Sequence, residues 1–330
     1  MVTGRNYKNE AIQVTVDEGS GPIIHIIGTD DILEVFKQDC IIKITLPESV
    51  DPEDINPKAP ATKQEVCSDI GAADFVVART LIQTEELIKG LHLQNRIDKN
   101  KLLDAMRVCR DHLIAAYNIA FHLSLDIYEA TNSYIENGSS QDRVKKIPQI
   151  NDLTTKSHNF LSSIKLTLQD FVNVLNTIFK TDLKGPKYHI IKKHFGDQLG
   201  KDHNLYKVLN DYEPYIHMLV NWRNSIEHPK SDNKFIVRNF EMKANGLVFP
   251  NWHHYPHGNI INITSEIPSI LQLVVEFIEI TTAISLLEKV EGPLVYHLQF
   301  ISEEEQNPMC PMHIKTQYIP PEYMHNITTR

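Results

Sequence analysis

The run from Arg223 to His228, with the sequence RNSIEH, combines two side chains that can act together on a phosphate. Arginine remains charged, and its planar guanidinium matches the oxygens of a phosphate group. Histidine gains and loses a proton near neutral pH. If both side chains reach one phosphodiester, acid–base chemistry can break that bond without a metal ion. The run therefore supplies candidate catalytic residues, and we predict no cofactor and no metal.

These residues lie at the end of a predicted helix over 204–228. Pro229 disfavours helical angles in the residue before it, so the helix is expected to end at His228. Five positions on an ideal helix are about 140° apart at about 3.6 residues per turn. Arg223 and His228 would therefore share a face only if the last turn unwinds, and Pro229 gives a physical reason for that.

A purely structural role explains the same residues. Arg223 and Glu227 are four positions apart, so they can form an ion pair on the helix surface that contributes a few tenths of a kcal/mol. The helix dipole favours a histidine at the C-terminal end. The motif by itself leaves this alternative open.

The charge of the chain limits how it can bind RNA. The 330 residues carry a formal net charge of −9, with a pI of about 6.0. This disfavours wholesale coating of nucleic acid, so an RNA site must be a local basic patch. The candidate RNA-binding lysines lie between residues 180 and 194: Lys184, Lys187, Lys192 and Lys193. Tyr188 and Phe195 are expected to stack on unpaired bases, and a solvated basic loop is the alternative.

The cysteines, the N-terminus and the apolar runs indicate a cytoplasmic protein without a membrane segment. Four cysteines lie far apart and form no Cys-x-x-Cys pair, which favours reduced thiols over a zinc ribbon. The first residues are polar, unlike a signal peptide. No apolar run approaches the roughly 20 residues of a membrane span. The histidine-rich segment from Trp252 to His257 is expected to be a surface loop rather than a zinc site.

The hydrophobic pattern predicts a mainly α-helical chain with four segments. Residues 1–64 are a β-rich N-terminal segment with a proline-rich linker, and 65–140 are a long helical pair. Residues 150–292 are a helical domain with a hairpin insertion near 234–263, and 293–330 are an extended C-terminal tail. The long helical pair is expected to serve dimerisation or to cover the site.

Individual elements follow from local signals. The strongest amphipathic pattern predicts a helix over 152–179. Residues 31–38 are expected to be a short helix between two strands. Pro214 is expected to mark a helix restart that Asp211 caps, and Pro268 is expected to open the last helix. Asn245-Gly246 predicts a hairpin turn.

The motif residues Arg223, Asn224 and His228, together with the order of elements around them, resemble the HEPN superfamily. That order is a helix, a short helix, the motif-bearing helix, a hairpin insertion and a final helix. The resemblance covers roughly residues 152–291 and implies a HEPN-like helical bundle. Residues 1–140 carry no motif that belongs to it.

The resemblance implies metal-independent RNA cleavage by a homodimer in which the two motifs face each other. His228 would act as general acid or base, Arg223 would hold the phosphate, and Asn224 would orient one of them. Glu227 would be a supporting partner of Arg223. By analogy, the protein would be a toxin or antiviral defence effector, controlled by a regulatory partner or antitoxin. The alternative is a non-catalytic module that binds a nucleotide or a protein.

Overall fold

The computed structural model describes residues 21–29, 32–45, 47–50, 53, 55, 62–94, 97–137, 146–256, 258–292 and 295–320. About 54% of these residues are helical, and the strands among them form small antiparallel sheets. The predicted mainly helical class with added strands is confirmed at this level. The chain forms two compact units, which are Met1–Arg107 with Ser285–Arg330 (unit 1) and Val108–Ile284 (unit 2). The division into four segments stays a prediction, and the strand expected over residues 11–16 lies outside the described residues.

Unit 1 contains an antiparallel sheet whose strands follow one another in sequence order: β1 (Ile23–Gly28), β2 (Ile32–Lys37), β3 (Ile41–Thr45) and β4 (Lys63–Ser68). The short helix predicted over 31–38 is therefore wrong. β2 pairs with strands on both sides, and both Val35 and Phe36 are buried. Buried Glu34 accepts a hydrogen bond from Arg107 Nε at 2.9 Å. A strand covered on both faces shows no alternation of apolar and polar residues, so its period cannot be read from sequence.

The helices of unit 1 are short, apart from the first part of α4. They are α1 (Pro47–Val50), α2 (Phe75–Val77), a π-helical turn (Ala78–Ile82), α3 (Gln83–Gly90) and the beginning of α4 (Lys99–Asn137). Near the C-terminal end of the described residues, an antiparallel ribbon consists of β10 (Val295–Phe300) and β11 (Ile314–Ile319), with a 3-10 turn at Glu303–Glu305. Gln83 ties α3 to this ribbon, because its Oε1 accepts the backbone N–H groups of His313 and Ile314, each at 3.0 Å.

Unit 2 carries the long helices and the strands inserted between them. The elements after α4 are α5 (Leu153–Phe179), α6 (Tyr188–Leu199), α7 (Asn204–Glu227), β5 (Lys234–Arg238), β6 (Glu241–Lys243), β7 (Gly246–Val248), β8 (Asn251–Tyr255), β9 (Ile260–Asn262) and α8 (Ile263–Leu287). The hairpin predicted at Asn245-Gly246 is confirmed as the β6–β7 ribbon, where Gly246 has φ 120°. β5 pairs instead with β8, which also pairs with β9.

The predicted helix over 152–179 is confirmed by α5, whose apolar stripe is buried along its whole length at Phe160, Leu161, Ile164, Leu168, Phe171, Val172, Leu175 and Ile178. Two expectations based on prolines are wrong. α7 continues through Pro214 without a restart, and α8 begins at Ile263, before Pro268. Tertiary packing keeps both helices intact although each proline lacks a backbone N–H donor.

α8 has the length and mean hydropathy of a membrane-spanning helix, with a mean hydropathy of 1.9 over its most apolar stretch. However, 67% of that stretch is buried within the protein. A helix that is apolar all round and covered by its neighbours is typical of a protein core. Phe277 illustrates this, since its ring packs against Phe171 and Tyr188 with centroid distances of 5.4 Å each.

Candidate functional site

α7 ends where the sequence predicts. Its last helical residue is Glu227, and His228 has φ −128° and ψ 64°, outside the helical region. The expected unwinding of the last turn is not observed, because the backbone N–H of His228 still donates to the carbonyl of Asn224 at 2.9 Å. The departure from helical geometry is confined to His228 itself, directly before Pro229.

Aromatic packing fixes the end of α7 on its inner side. Trp222 is buried, and its ring lies 5.7 Å from that of Phe235 and 6.2 Å from that of Trp252, centroid to centroid. Trp252 also stacks on Phe160 of α5 at 6.1 Å, and its Nε1–H donates to Ser157 Oγ at 2.9 Å. These aromatic contacts join the end of α7 to α5, β5 and β8. This packing fixes the end of α7, which carries the motif, against α5.

Arg223 forms an ion pair with Glu227, one helical turn further on. Only 19% of the Arg223 side chain is exposed, against 39% for Glu227. Burial lowers the pKa of Arg223 from its ordinary value. Both the catalytic and the structural hypothesis expect this ion pair, so its presence does not decide between them.

Lys165 of α5 joins the motif, and sequence reasoning missed it. Its Nζ donates to Asn224 Oδ1 at 3.0 Å and lies 3.8 Å from Glu227 Oε2. Burial lowers the pKa of Lys165, and the positive charge of Arg223 lowers it further. In the sequence, Leu161 and Leu168 place Lys165 beside the apolar stripe of α5, but that position alone does not show which helix the lysine approaches.

His228 is exposed, and its imidazole has no hydrogen bond or ion pair with any residue in the described ranges. The site as a whole combines two positive groups, Arg223 and Lys165, one carboxylate on Glu227, and an accessible imidazole one residue after it. Such a group can bind an anion and exchange protons with it.

Two of the four candidate RNA-binding lysines are engaged in ion pairs. Lys184 Nζ lies 2.5 Å from Asp182 Oδ1 in the connection before α6. Lys192 belongs to α6, and its Nζ lies 3.4 Å from Glu213 Oε2 of α7. These two lysines therefore have local partners that an RNA phosphate would have to displace.

The other two lysines, Lys187 and Lys193, are exposed and form no ion pair with any residue that the structure describes. The two aromatic residues of this segment, Tyr188 and Phe195, do not face solvent. Tyr188 donates its hydroxyl to the carbonyl of Leu168 at 2.7 Å, and Phe195 is fully buried. The predicted stacking of Tyr188 and Phe195 on RNA bases is therefore wrong, because both rings belong to the core.

The histidine-rich segment is a strand rather than the surface loop expected from sequence. Trp252, His253 and His254 lie in β8, and the ring Nε2 of His254 is 2.6 Å from Asn233 Oδ1. His257, the third histidine of this segment, lies outside the described residues. Burial of the Trp252 ring against α5 explains why this segment is a strand, because the side chain must point into the core.

In unit 1, the ligand atoms of His25, Glu85 and Glu86 lie within 4.8 Å of one another. Lys89 supplies a cation there, because its Nζ is 2.7 Å from Glu85 Oε2 and 3.5 Å from Glu86 Oε1. The group is thus an ion-pair network that joins β1 to α3.

Comparison of the chain with protein-family models, with curated proteins and with solved structures gives no match.

Proposed function

We propose that this protein is a metal-independent endoribonuclease of the HEPN type. The observation that supports this most is the convergence of Arg223 and Lys165 on the carboxylate of Glu227, the residue before the exposed His228. A phosphodiester needs positive charge around its oxygens as it gains negative charge in the transition state. It also needs a group that moves protons. The end of α7 carries both.

The reaction is an intramolecular transfer. The ribose 2′-oxygen attacks the adjacent phosphorus while its proton passes to a general base. The bond from phosphorus to the 5′-oxygen of the next nucleotide breaks, and a general acid protonates that oxygen. The products are a 2′,3′-cyclic phosphate and a 5′-hydroxyl. His228 serves as acid or base, Arg223 and Lys165 hold the phosphate, and Asn224 orients it.

The HEPN-like interpretation extends to the fold and the partners. α5, α6, α7, the inserted strands β5–β9 and α8 stand in the order that the resemblance implies, so we assign residues 150–292 to a HEPN-like helical domain. The active form is a cytoplasmic homodimer whose two motifs share one RNA, with Lys187 and Lys193 contacting its phosphates. The biological role is that of a toxin or antiviral effector, held inactive by a regulatory partner or antitoxin.

The test of this function is cleavage of a single-stranded RNA by the purified protein in EDTA. The wild-type protein should cut the RNA, whereas Arg223→Ala and His228→Ala should each lose at least about a hundredfold in rate. His217→Ala is the matched control, because His217 is an exposed histidine of α7 away from the motif. Equal activity in all four proteins, or activity in none, would reject the proposal.

The alternative is a non-catalytic module that binds a nucleotide or a protein, with Arg223 as a phosphate clamp. The Arg223–Glu227 ion pair is complete within one helix and is expected for either function. For such a module, Arg223→Ala should weaken ligand binding while His228→Ala leaves it unchanged, and no variant should alter turnover. Binding assays with a nucleotide and with RNA, run beside the cleavage assay, separate the two functions.

A further inference from the structure

The carboxylate of Glu227 lies between two cations on different helices. Its Oε2 contacts the guanidinium of Arg223 on α7 and lies 3.8 Å from Nζ of Lys165 on α5. A carboxylate and a phosphate both offer oxygens to such a pair, and arginine binds either through its planar fork. The position that Glu227 occupies is therefore one in which a phosphate oxygen would be equally well placed.

The three charged groups differ in their access to water. The Lys165 and Arg223 side chains are 21% and 19% exposed, whereas Glu227 is 39% exposed. The two cations are thus anchored against the protein, and the carboxylate lies on their solvent side. An anion that arrives from solvent meets Glu227 first and can replace it without moving either helix.

The local charge also favours a second negative group. Two cations face one carboxylate, so the cluster carries an excess positive charge. Burial lowers the pKa of Arg223 and that of Lys165, which means that their surroundings do not fully stabilise both charges. Lys165 Nζ donates a hydrogen bond to Asn224 Oδ1. The amide N–H groups of Asn224 remain as donors for an anion.

We infer that Glu227 occupies a phosphate-binding site formed by Arg223, Lys165 and Asn224, and that an RNA phosphate binds by displacing its carboxylate. The identity of the ligand rests on the proposed function, but the competition between carboxylate and phosphate does not. Glu227 is then a built-in competitor that lowers affinity for the substrate. A phosphate monoester, with its additional negative charge, displaces it more readily than a phosphodiester does.

The sign of one substitution distinguishes this inference from a supporting role for Glu227. Glu227→Gln removes the competing charge and retains the shape of the side chain. If Glu227 competes with phosphate, the variant binds RNA about fivefold more tightly. If Glu227 instead holds Arg223 in place for the ligand, the same variant binds more weakly.

The experiment measures binding of a 2′-O-methyl RNA oligonucleotide by fluorescence anisotropy at fixed ionic strength. Its methylated 2′-oxygens cannot attack, so binding is separated from cleavage, and failure of the nuclease proposal does not affect the result. Glu129→Gln, an exposed residue of α4, is the control for the change in net charge. Lys165→Ala should weaken binding at least about fivefold. Circular dichroism shows whether each variant is folded.

Titration with inorganic phosphate in a calorimeter supplies the second arm. Glu227→Gln should bind phosphate more tightly than the wild-type protein and Glu129→Gln do. The inference is overturned if Glu227→Gln binds both probes as the control does, or more weakly. It is also overturned if no variant binds either probe.

Discussion

The ammonium group of Lys165 belongs to the candidate site although it is far from the motif in sequence, because packing of α5 against α7 brings it to Asn224 and Glu227. The motif itself could be recognised from sequence, and so could the end of α7 before Pro229. Lys165 could not be assigned, since a lysine beside an apolar stripe more often extends its ammonium group into solvent. Its role depends on which helix lies next to α5.

Replacement of Lys165 is the prediction at the scale of one residue. Lys165→Ala should lower kcat/KM for RNA at least about tenfold, because one of two cations on the phosphate is lost. The effect on stability should be small, since the ion pair is partly exposed. Lys207→Ala, an exposed lysine of α7, is the control. Steady-state kinetics that show equal losses in the two variants would remove Lys165 from the site.

The inserted strands and α5 support the end of α7 through the aromatic contacts around Trp252. The existence and span of α5 followed from its period, and the β6–β7 ribbon followed from Asn245-Gly246. The pairing of β5 with β8 could not be predicted from sequence. Three of the five residues of β8 are two histidines and a tyrosine, and this composition resembles that of a loop. Burial of Trp252, a tertiary effect, decides that this segment is a strand.

At the scale of elements, this packing predicts the stability of unit 2. Trp252→Ala should lower the free energy of unfolding by about 3–5 kcal/mol, as expected for a large cavity in a core. Ser157→Ala should cost about 1–2 kcal/mol, because the indole N–H loses its acceptor. Phe121→Ala, in an exposed position on α4, should change stability by less than about 0.5 kcal/mol. Urea unfolding measures all three, and equal values would contradict the packing described above.

The network between β1 and α3 predicts how stability depends on pH. Burial raises the pKa of Glu85, but the hydrogen bonds from His25 and Lys89 outweigh it and hold the pKa below the ordinary value of 4.5. The folded protein thus favours the ionised carboxylate. Its stabilising contribution is present above pH 4.5 and disappears as the pH falls through the lower pKa of the folded state.

Glu85→Gln removes this titration. The variant should lose about 1 kcal/mol of stability at neutral pH and should show a shallower decline on acidification than the wild-type protein. Urea unfolding over a pH series measures both effects. Parallel pH profiles for the two proteins would show that Glu85 does not contribute to acid sensitivity.

For the whole molecule, the net charge of −9 determines how RNA must bind. Four cations are the candidate phosphate contacts, namely Lys165 and Arg223 at the motif and the exposed Lys187 and Lys193. If these alone contact phosphates, the logarithm of the RNA association constant should fall with the logarithm of salt concentration with a slope of about −3. A slope steeper than about −5 would indicate a much larger basic surface. Anisotropy titrations at several salt concentrations give this slope.

The proposed dimer makes a prediction about α4. Leu125 and Tyr128 are exposed on that helix, whereas Asp126 faces α5 and pairs with Lys156 at 2.5 Å. Lys156 and Lys165 are nine positions apart on α5, about 180° around the helix. We therefore expect a dimer in which the motifs meet to use a surface other than Leu125 and Tyr128, although the sequence also allowed the long helical pair to serve dimerisation. The double variant Leu125→Glu, Tyr128→Glu should retain RNA cleavage within about twofold. Light scattering measures its oligomeric state. A variant that is monomeric and no longer cleaves RNA would place the dimer contact on α4.

The chemistry of the cut ends tests the central claim most directly, that a guanidinium and an imidazole drive attack by the ribose 2′-oxygen. Mass spectrometry of RNA fragments produced by the wild-type protein in EDTA identifies both new termini. We predict a 2′,3′-cyclic phosphate on one fragment and a 5′-hydroxyl on the other, and intact RNA when the sugar before the cleaved bond is 2′-deoxy. Fragments that carry a 5′-phosphate, or cleavage of the deoxy substrate, would contradict the account.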